Sequence, residues 1–153
     1  MRVCGPDGQS LELRVLRYQF PQPSDNEYDS NWLMIEGVVS HPRGGWSFCD
    51  PCLLTDEVAR LADWLDAVGQ SESCATEMGF LEPNLSFALI RPPGGNGVLR
   101  VYFDLESRPY WAPAPTAGRS DLWVEFPVLE AGLREAAREL REQLARCPER
   151  AKR

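Results

Sequence analysis

The stretch Trp46 to Gly69, WSFCDPCLLTDEVARLADWLDAVG, decides the architecture because its hydrophobic period changes within a few residues. Trp46 and Phe48 alternate with polar neighbours, the mark of a strand. Val58, Leu61, Ala62, Leu65 and Val68 recur instead at helical spacing and form one apolar stripe, with Trp64 on its flank. Pro51 disfavours the helical region for Asp50, so the strand is expected to stay extended up to a tight Asp-Pro corner and then turn. Thr55 stands where an N-cap belongs, and Asp56 and Glu57 fill a first turn where carboxylates favour the positive end of the helix dipole. Val58 takes the place a full capping box reserves for Glu or Gln, so the cap is partial. Gly69 is a natural terminator. The pattern predicts a helix over about 55–68.

Upstream, Met1 to Ser10 reads as a short irregular lead. In LELRVLRYQF, Leu11 to Phe20, residues Leu11, Leu13 and Val15 alternate with polar ones and predict a half-buried strand. Pro21 to Ser30 is a polar loop holding Asp25, Glu27 and Asp29 around Tyr28. Trp32 to Val39 is a second strand, turned back by Pro42, Gly44 and Gly45 into the third at Trp46. These three predict an antiparallel meander.

Downstream, a short strand is expected near Thr76 to Phe80. Clearer strands at Asn84 to Ile90 and Val98 to Leu105 are joined by a turn from Pro92 to Gly97. Arg108 to Arg119 is an extended loop with Pro109, Pro113 and Pro115 beside Tyr110 and Trp111, and Leu122 to Phe126 is a last strand. Leu129, Leu133, Ala136, Ala137, Leu140 and Leu144 give the stripe of a C-terminal helix over about 130–147, with Arg138 and Glu142 paired one turn apart. The order β-β-β-α-β-β-β-β-α, with strands joined by turns, argues against a parallel sheet. The expected class is α+β: a mainly antiparallel sheet carrying both helices, one domain over 1–153, with short irregular ends at 1–10 and 148–153.

The length of 153 residues is enough to bury roughly 70% of the surface the unfolded chain would expose. No apolar run approaches the length of a membrane span, and Arg14 and Arg17 interrupt the early apolar segment, so neither a membrane helix nor a signal peptide is expected. Cys4, Cys49, Cys52, Cys74 and Cys147 are odd in number and scattered, which fits reduced thiols in a cytoplasm better than a disulfide framework. The net charge of -7 is uneven. Met1 to Ile90 carries fourteen carboxylates against five arginines, a balance of -9, and Arg91 to Arg153 carries eleven bases against nine acids, a balance of +2. An acidic half of this kind repels nucleic acid and steers basic partners.

Candidate chemistry is sparse. Cys49-Asp50-Pro51-Cys52 is a CxxC, but it closes a strand in an antiparallel protein, whereas a thioredoxin-like thiol is activated at a helix N-terminus in a βαβ unit. A zinc site needs two more ligands, and Cys4, Cys74, Cys147 and His41 offer neither a second CxxC nor a His pair. His41, the one histidine, precedes Pro42 in a turn and reads as a surface residue more readily than as a catalytic base. Gly94 to Gly97 lacks the lysine and following helix of a phosphate loop. Asp104 and Glu106, with Arg100 and Arg108 nearby, read as a salt-bridge row more readily than as an acid/base pair. No enzyme emerges, and no cofactor or metal is expected. Trp46, Phe48, Trp64, Phe80, Phe87, Phe103, Trp123 and Phe126 fall on strand or helix stripes and are assigned to the core. Tyr28, Tyr110 and Trp111 lie in loops, where large rings are common interface anchors.

The segments LRVLRYQF (Leu13 to Phe20), DSNWLMI (Asp29 to Ile35), WSFCDPCLLT (Trp46 to Thr55), FLEPNLSF (Phe80 to Phe87), VYFDL (Val101 to Leu105), RPYWAP (Arg108 to Pro113) and VEFP (Val124 to Pro127) resemble the immunity-protein family called WapI, partners of bacterial wall-associated and related polymorphic toxins. The likeness runs over nearly the whole chain but offers no counterpart before Leu11 or after Pro148. Cys52 belongs to the family pattern and Cys49 does not, which weakens the redox reading.

The resemblance implies a non-catalytic cytoplasmic antitoxin that binds the toxic domain of a cognate toxin and blocks it. Toxins of this kind are often nucleases with basic surfaces, which an acidic partner complements. Asp25, Glu27, Tyr28 and Asp29 are the expected binding residues, with Tyr110 and Trp111 as anchors; nucleic acid and membrane are not expected partners. The alternative is a cytosolic thiol redox or redox-sensing domain using the Cys49-Cys52 pair.

Overall fold

The computed structural model describes residues 1–70, 75–93, 96–113 and 122–150. In chain order the elements are β1 (Arg2–Cys4), β2 (Ser10–Tyr18), α1 (Glu27–Asn31), β3 (Trp32–Ser40), β4 (Trp46–Leu54), α2 (Thr55–Gly69), β5 (Glu77–Met78), β6 (Leu85–Ile90), β7 (Gly97–Phe103), a 3₁₀ turn (Leu105–Ser107), β8 (Trp123–Val128) and α3 (Glu130–Leu144). The readings that rest on Cys74, Gly94, Gly95, Pro115, Arg119 and residues 151–153 lie outside the described residues.

The class is α+β, and the strands form two four-stranded sheets, β1-β2-β3-β4 and β5-β6-β7-β8, each antiparallel and each in sequence order. A meander continues only while its connections are tight, and the 15 residues of α2 between β4 and β5 end the first one. The expected irregular lead is partly regular: β1 pairs with β2, from Arg2 opposite Glu12 to Cys4 opposite Ser10, and Met1 is buried beside it.

The inner faces of the two sheets and one stripe of each long helix share a single core. The first sheet contributes Leu11, Leu13, Leu33, Ile35 and Phe48, the second Phe87, Leu99, Val101, Phe103 and Phe126. Val58, Leu61, Ala62 and Leu65 of α2 and Leu133, Ala136, Ala137 and Leu140 of α3 complete it. Phe103 of β7 is fully buried and joins the sheets, meeting Trp46 edge to face at a centroid distance of 5.1 Å and Phe48 at 6.3 Å. Fully burying a ring of that size contributes about 1.5–3 kcal/mol.

Three features of the Trp46–Gly69 stretch depart from expectation. There is no corner at Asp50-Pro51, because β4 continues to Leu54 with Pro51 opposite Met34. An edge strand tolerates a residue with no N–H to donate. The register slips by one between Leu33 opposite Leu53 and Met34 opposite Pro51, which makes Cys52 the bulged residue. The N-cap of α2 is Leu54, one residue earlier than Thr55, so Glu57 and not Val58 holds the capping-box position: its carboxylate accepts the Leu54 N–H at 3.0 Å. Gly69 ends the helix inside it; a Cβ there would meet the Glu130 carbonyl oxygen at 3.0 Å and the Leu133 Cβ at 3.2 Å, so the residue is small where α2 and α3 cross.

Candidate functional site

The expected binding loop is folded around its own polar side chains. Asn26 caps α1 by accepting the Tyr28 N–H at 2.9 Å, and the buried Ser30 hydroxyl accepts the Ser24 N–H and donates to the Ser24 carbonyl, both at 2.9 Å. Asn31, also buried, accepts the Thr55 hydroxyl and the Arg150 N–H at 2.9 and 2.8 Å, tying the loop to α2 and to the C-terminal tail. These polar residues serve the fold. What remains outward is the exposed Asp25, Tyr28, 54% exposed, and the half-buried Asp29. The side chain of Glu27 lies outside the described structure.

Tyr110 and Trp111 sit elsewhere. Trp111 stacks with His41 at 6.2 Å, meets Trp46 edge to face at 5.7 Å and carries the Arg43 guanidinium 4.9 Å above its ring. His41, Arg43 and Trp46 flank the turn between β3 and β4. Gly44 turns there at φ +125°, where a Cβ would stand 3.3 Å from the indole nitrogen of Trp111. That indole N–H is shielded from solvent with no hydrogen-bond partner among the described residues, so ring contacts hold the side chain. Burial, and then the charge of Arg43, lower the pKa of His41 and favour the neutral ring. Tyr110 next to it is 91% exposed. Because α1 precedes β3 and this turn follows it, the two halves of the expected site stand at opposite ends of a nine-residue strand, roughly 26 Å apart at the usual rise.

A third locus escaped the sequence reading. Trp123, assigned above to the core, is 45% exposed on the outer face of the second sheet. The signal lay in the phase of the alternation: Val124, Phe126 and Val128 point inward, so Trp123 shares its face with Glu125 and Pro127. Across that face Trp123 lies opposite Tyr102 and Tyr102 opposite Ser86, with the two rings 6.0 Å apart. Arg100 lies 4.9 Å from the Trp123 ring and 5.9 Å from that of Tyr102, pinned by Glu125 at 2.6 and 2.9 Å. A groove of about 440 Å³ runs beside the pair, lined by Glu77, Met78, Gly79, Ser86, Phe87, Tyr102 and Trp123. Trp123 also walls a second groove of about 250 Å³ that reaches His41 and Pro42, so this face continues into the Trp111 cluster.

The CxxC pair is divided between environments. Cys49 is exposed on β4, while Cys52 is buried at the bulge, where desolvation and then the charge of Asp50 push its thiol up to about 12. The thiolate that exchange chemistry requires is therefore suppressed at Cys52. Asp50 is raised by burial and by the neighbouring Glu106; the Asn84 amide donates to both carboxylates, at 3.3 and 3.1 Å. Among the described residues no group of three or more His, Cys, Asp or Glu side chains is placed to hold a metal, and no helix is long and apolar enough to cross a membrane.

These observations define an α+β protein of two antiparallel sheets whose polar motif residues brace the fold and whose exposed aromatic side chains include Tyr28 and Tyr110 at opposite ends of β3 and Trp123 on the outer face of the second sheet. The chain belongs to the WapI-like immunity protein family, whose model matches residues 2–148. The match starts ahead of Leu11, so it takes in the lead that the motif resemblance left without a counterpart. No curated protein and no solved structure matches the chain.

Proposed function

We propose that the protein is a non-catalytic antitoxin which binds the toxic domain of a cognate bacterial toxin in the cytoplasm and neutralises it. The observation that carries this reading is the family match over residues 2–148, which implies a toxin as the kind of partner. The charge of -7 favours a basic toxin surface, a nuclease being the natural case, through faster association and rejection of acidic competitors. Of the two halves of the expected interface, the Tyr110 and Trp111 end has the composition of an energetic centre, since Tyr, Trp and Arg dominate such centres. The acidic loop of Asp25, Glu27, Tyr28 and Asp29 lies at the far end of β3 and serves better to steer approach than to anchor.

The test is co-expression with the toxin domain encoded beside the gene, scored by growth and by gel filtration of the mixed proteins. Growth rescue with a co-eluting complex is the expected result. Persistent toxicity and separate elution, with both proteins folded, would reject the reading.

A further inference from the structure

We propose that the groove beside Trp123 and Tyr102 seats a lysine or arginine side chain presented by the toxin; this rests on the immunity reading above. The lining has the chemistry of such a side chain. The rings of Tyr102 and Trp123 supply an apolar wall for an alkyl stem, and Gly79 leaves the floor open, since a Cβ there would meet no atom within 4 Å. Glu77 is the one charged residue lining the groove, exposed on the short edge strand β5 and without an ion-pair partner among the described residues. A cation entering over the rings would reach a carboxylate and two aromatic faces together.

The aromatic pair already attracts a guanidinium within the chain. Arg100 lies over both rings, yet Glu125 neutralises it and it does not line the groove. The complementarity is therefore local as well as global: an apolar slot with a free negative end on a chain of charge -7 selects a basic, long-stemmed visitor. At about 440 Å³ the groove falls at the lower end of the volumes that bind ligands, large enough for one side chain with its flanking backbone. Its shared wall at Trp123 leads toward His41 and Trp111, so a toxin segment seated here would also cover the Tyr110 end.

The experiment is a titration of the toxin domain by calorimetry against the wild-type chain, Glu77→Lys and Trp123→Ala, with thermal melts as the control on folding. Glu77→Lys is expected to weaken binding at least tenfold, and Trp123→Ala roughly thirtyfold, the loss typical of an aromatic hot spot. If Trp123→Ala does not fold, Glu77→Lys decides alone, because its side chain is exposed. Wild-type binding matched within twofold by the folded variants overturns this inference and leaves the immunity reading standing. Failure of the wild-type chain to bind overturns both.

Discussion

Phe48 of β4 lies across Gly37 of β3: the two residues are paired in register, and a Cβ on Gly37 would stand 2.1 Å from the Cζ of the ring. Gly37 is a hole that the sheet fills with its neighbour's side chain. Phe48 in turn meets Phe103 of the second sheet, so the vacancy on β3 helps set how the sheets face each other. Gly37→Ala is expected to cost about 3 kcal/mol through overpacking, a fall in melting temperature of roughly 6–12 °C. In the double variant with Phe48→Leu the losses should fall short of the sum of the singles. Additive losses in a thermal double-mutant cycle would show that the two side chains are not in conflict.

Glu57 closes a second long-range link. Only 3% exposed, its carboxylate accepts the Leu54 N–H at 3.0 Å and the Leu81 N–H at 2.7 Å, joining the start of α2 to the segment before β6. Removing it strands two backbone donors, so Glu57→Ala should lower stability by about 3 kcal/mol. Glu57→Gln, which keeps an acceptor, should lose less. Urea unfolding midpoints measure both, and a midpoint for Glu57→Ala equal to wild type would remove this role.

The thiols separate the antitoxin from its redox alternative. Iodoacetamide at pH 8 is expected to label Cys49 on the folded protein and to reach Cys52 only after denaturation, as read by peptide mass spectrometry. The buried thiol also sets a pH dependence. Its pKa is higher folded than unfolded, so its stabilising contribution is fully present below the ordinary value of 9.0 and is lost as pH rises toward about 12. Cys52→Ala should flatten that alkaline decline. Rapid labelling of native Cys52 at neutral pH would restore the redox reading.

Steering by the acidic loop has its own signature. Combined replacement of Asp25, Glu27 and Asp29 by Ala should slow toxin association and flatten its salt dependence. Because the loop stands at the far end of β3 from Trp111, the effect should be large near 10 mM salt, where the screening length is about 30 Å, and small at physiological strength, where it is about 8 Å. Dissociation rates should hardly change. Association rates in stopped flow that match wild type at low salt would take the loop out of the interface.

Much of the fold was legible because local period carries it. The apolar stripe of α2, the stripe of α3 over Leu133 to Leu140 and the alternation in β2 are properties of single segments, and the strands read at β3, β6 and β7 appear within two residues of their expected bounds. The misreadings share a different cause. Pro51 was read as a corner because proline restricts its predecessor, but β4 is an edge strand whose missing donor costs little. The lead before Leu11 hid β1, since three residues acquire a strand only when β2 lies beside them. Trp123 was assigned to the core on its aromatic character, although Glu125 two residues on marked the outward face.

By itself the sequence determined the α+β class, the two long helices, the charge asymmetry and, through DSNWL, DPCLLT and FLEPNLSF, the family. These depend on spacing along the chain and on residue identity, which need no knowledge of what lies across a sheet. Tertiary structure alone decided that the strands divide into two sheets, that Ser30, Asn31 and Asn84 spend their polar atoms on the fold, and that Tyr110 and Trp111 stand far from the acidic loop. It also decided that Glu77 and Trp123 line one groove. Such relations join residues tens of positions apart, and their geometry exists only once the core between the sheets has closed.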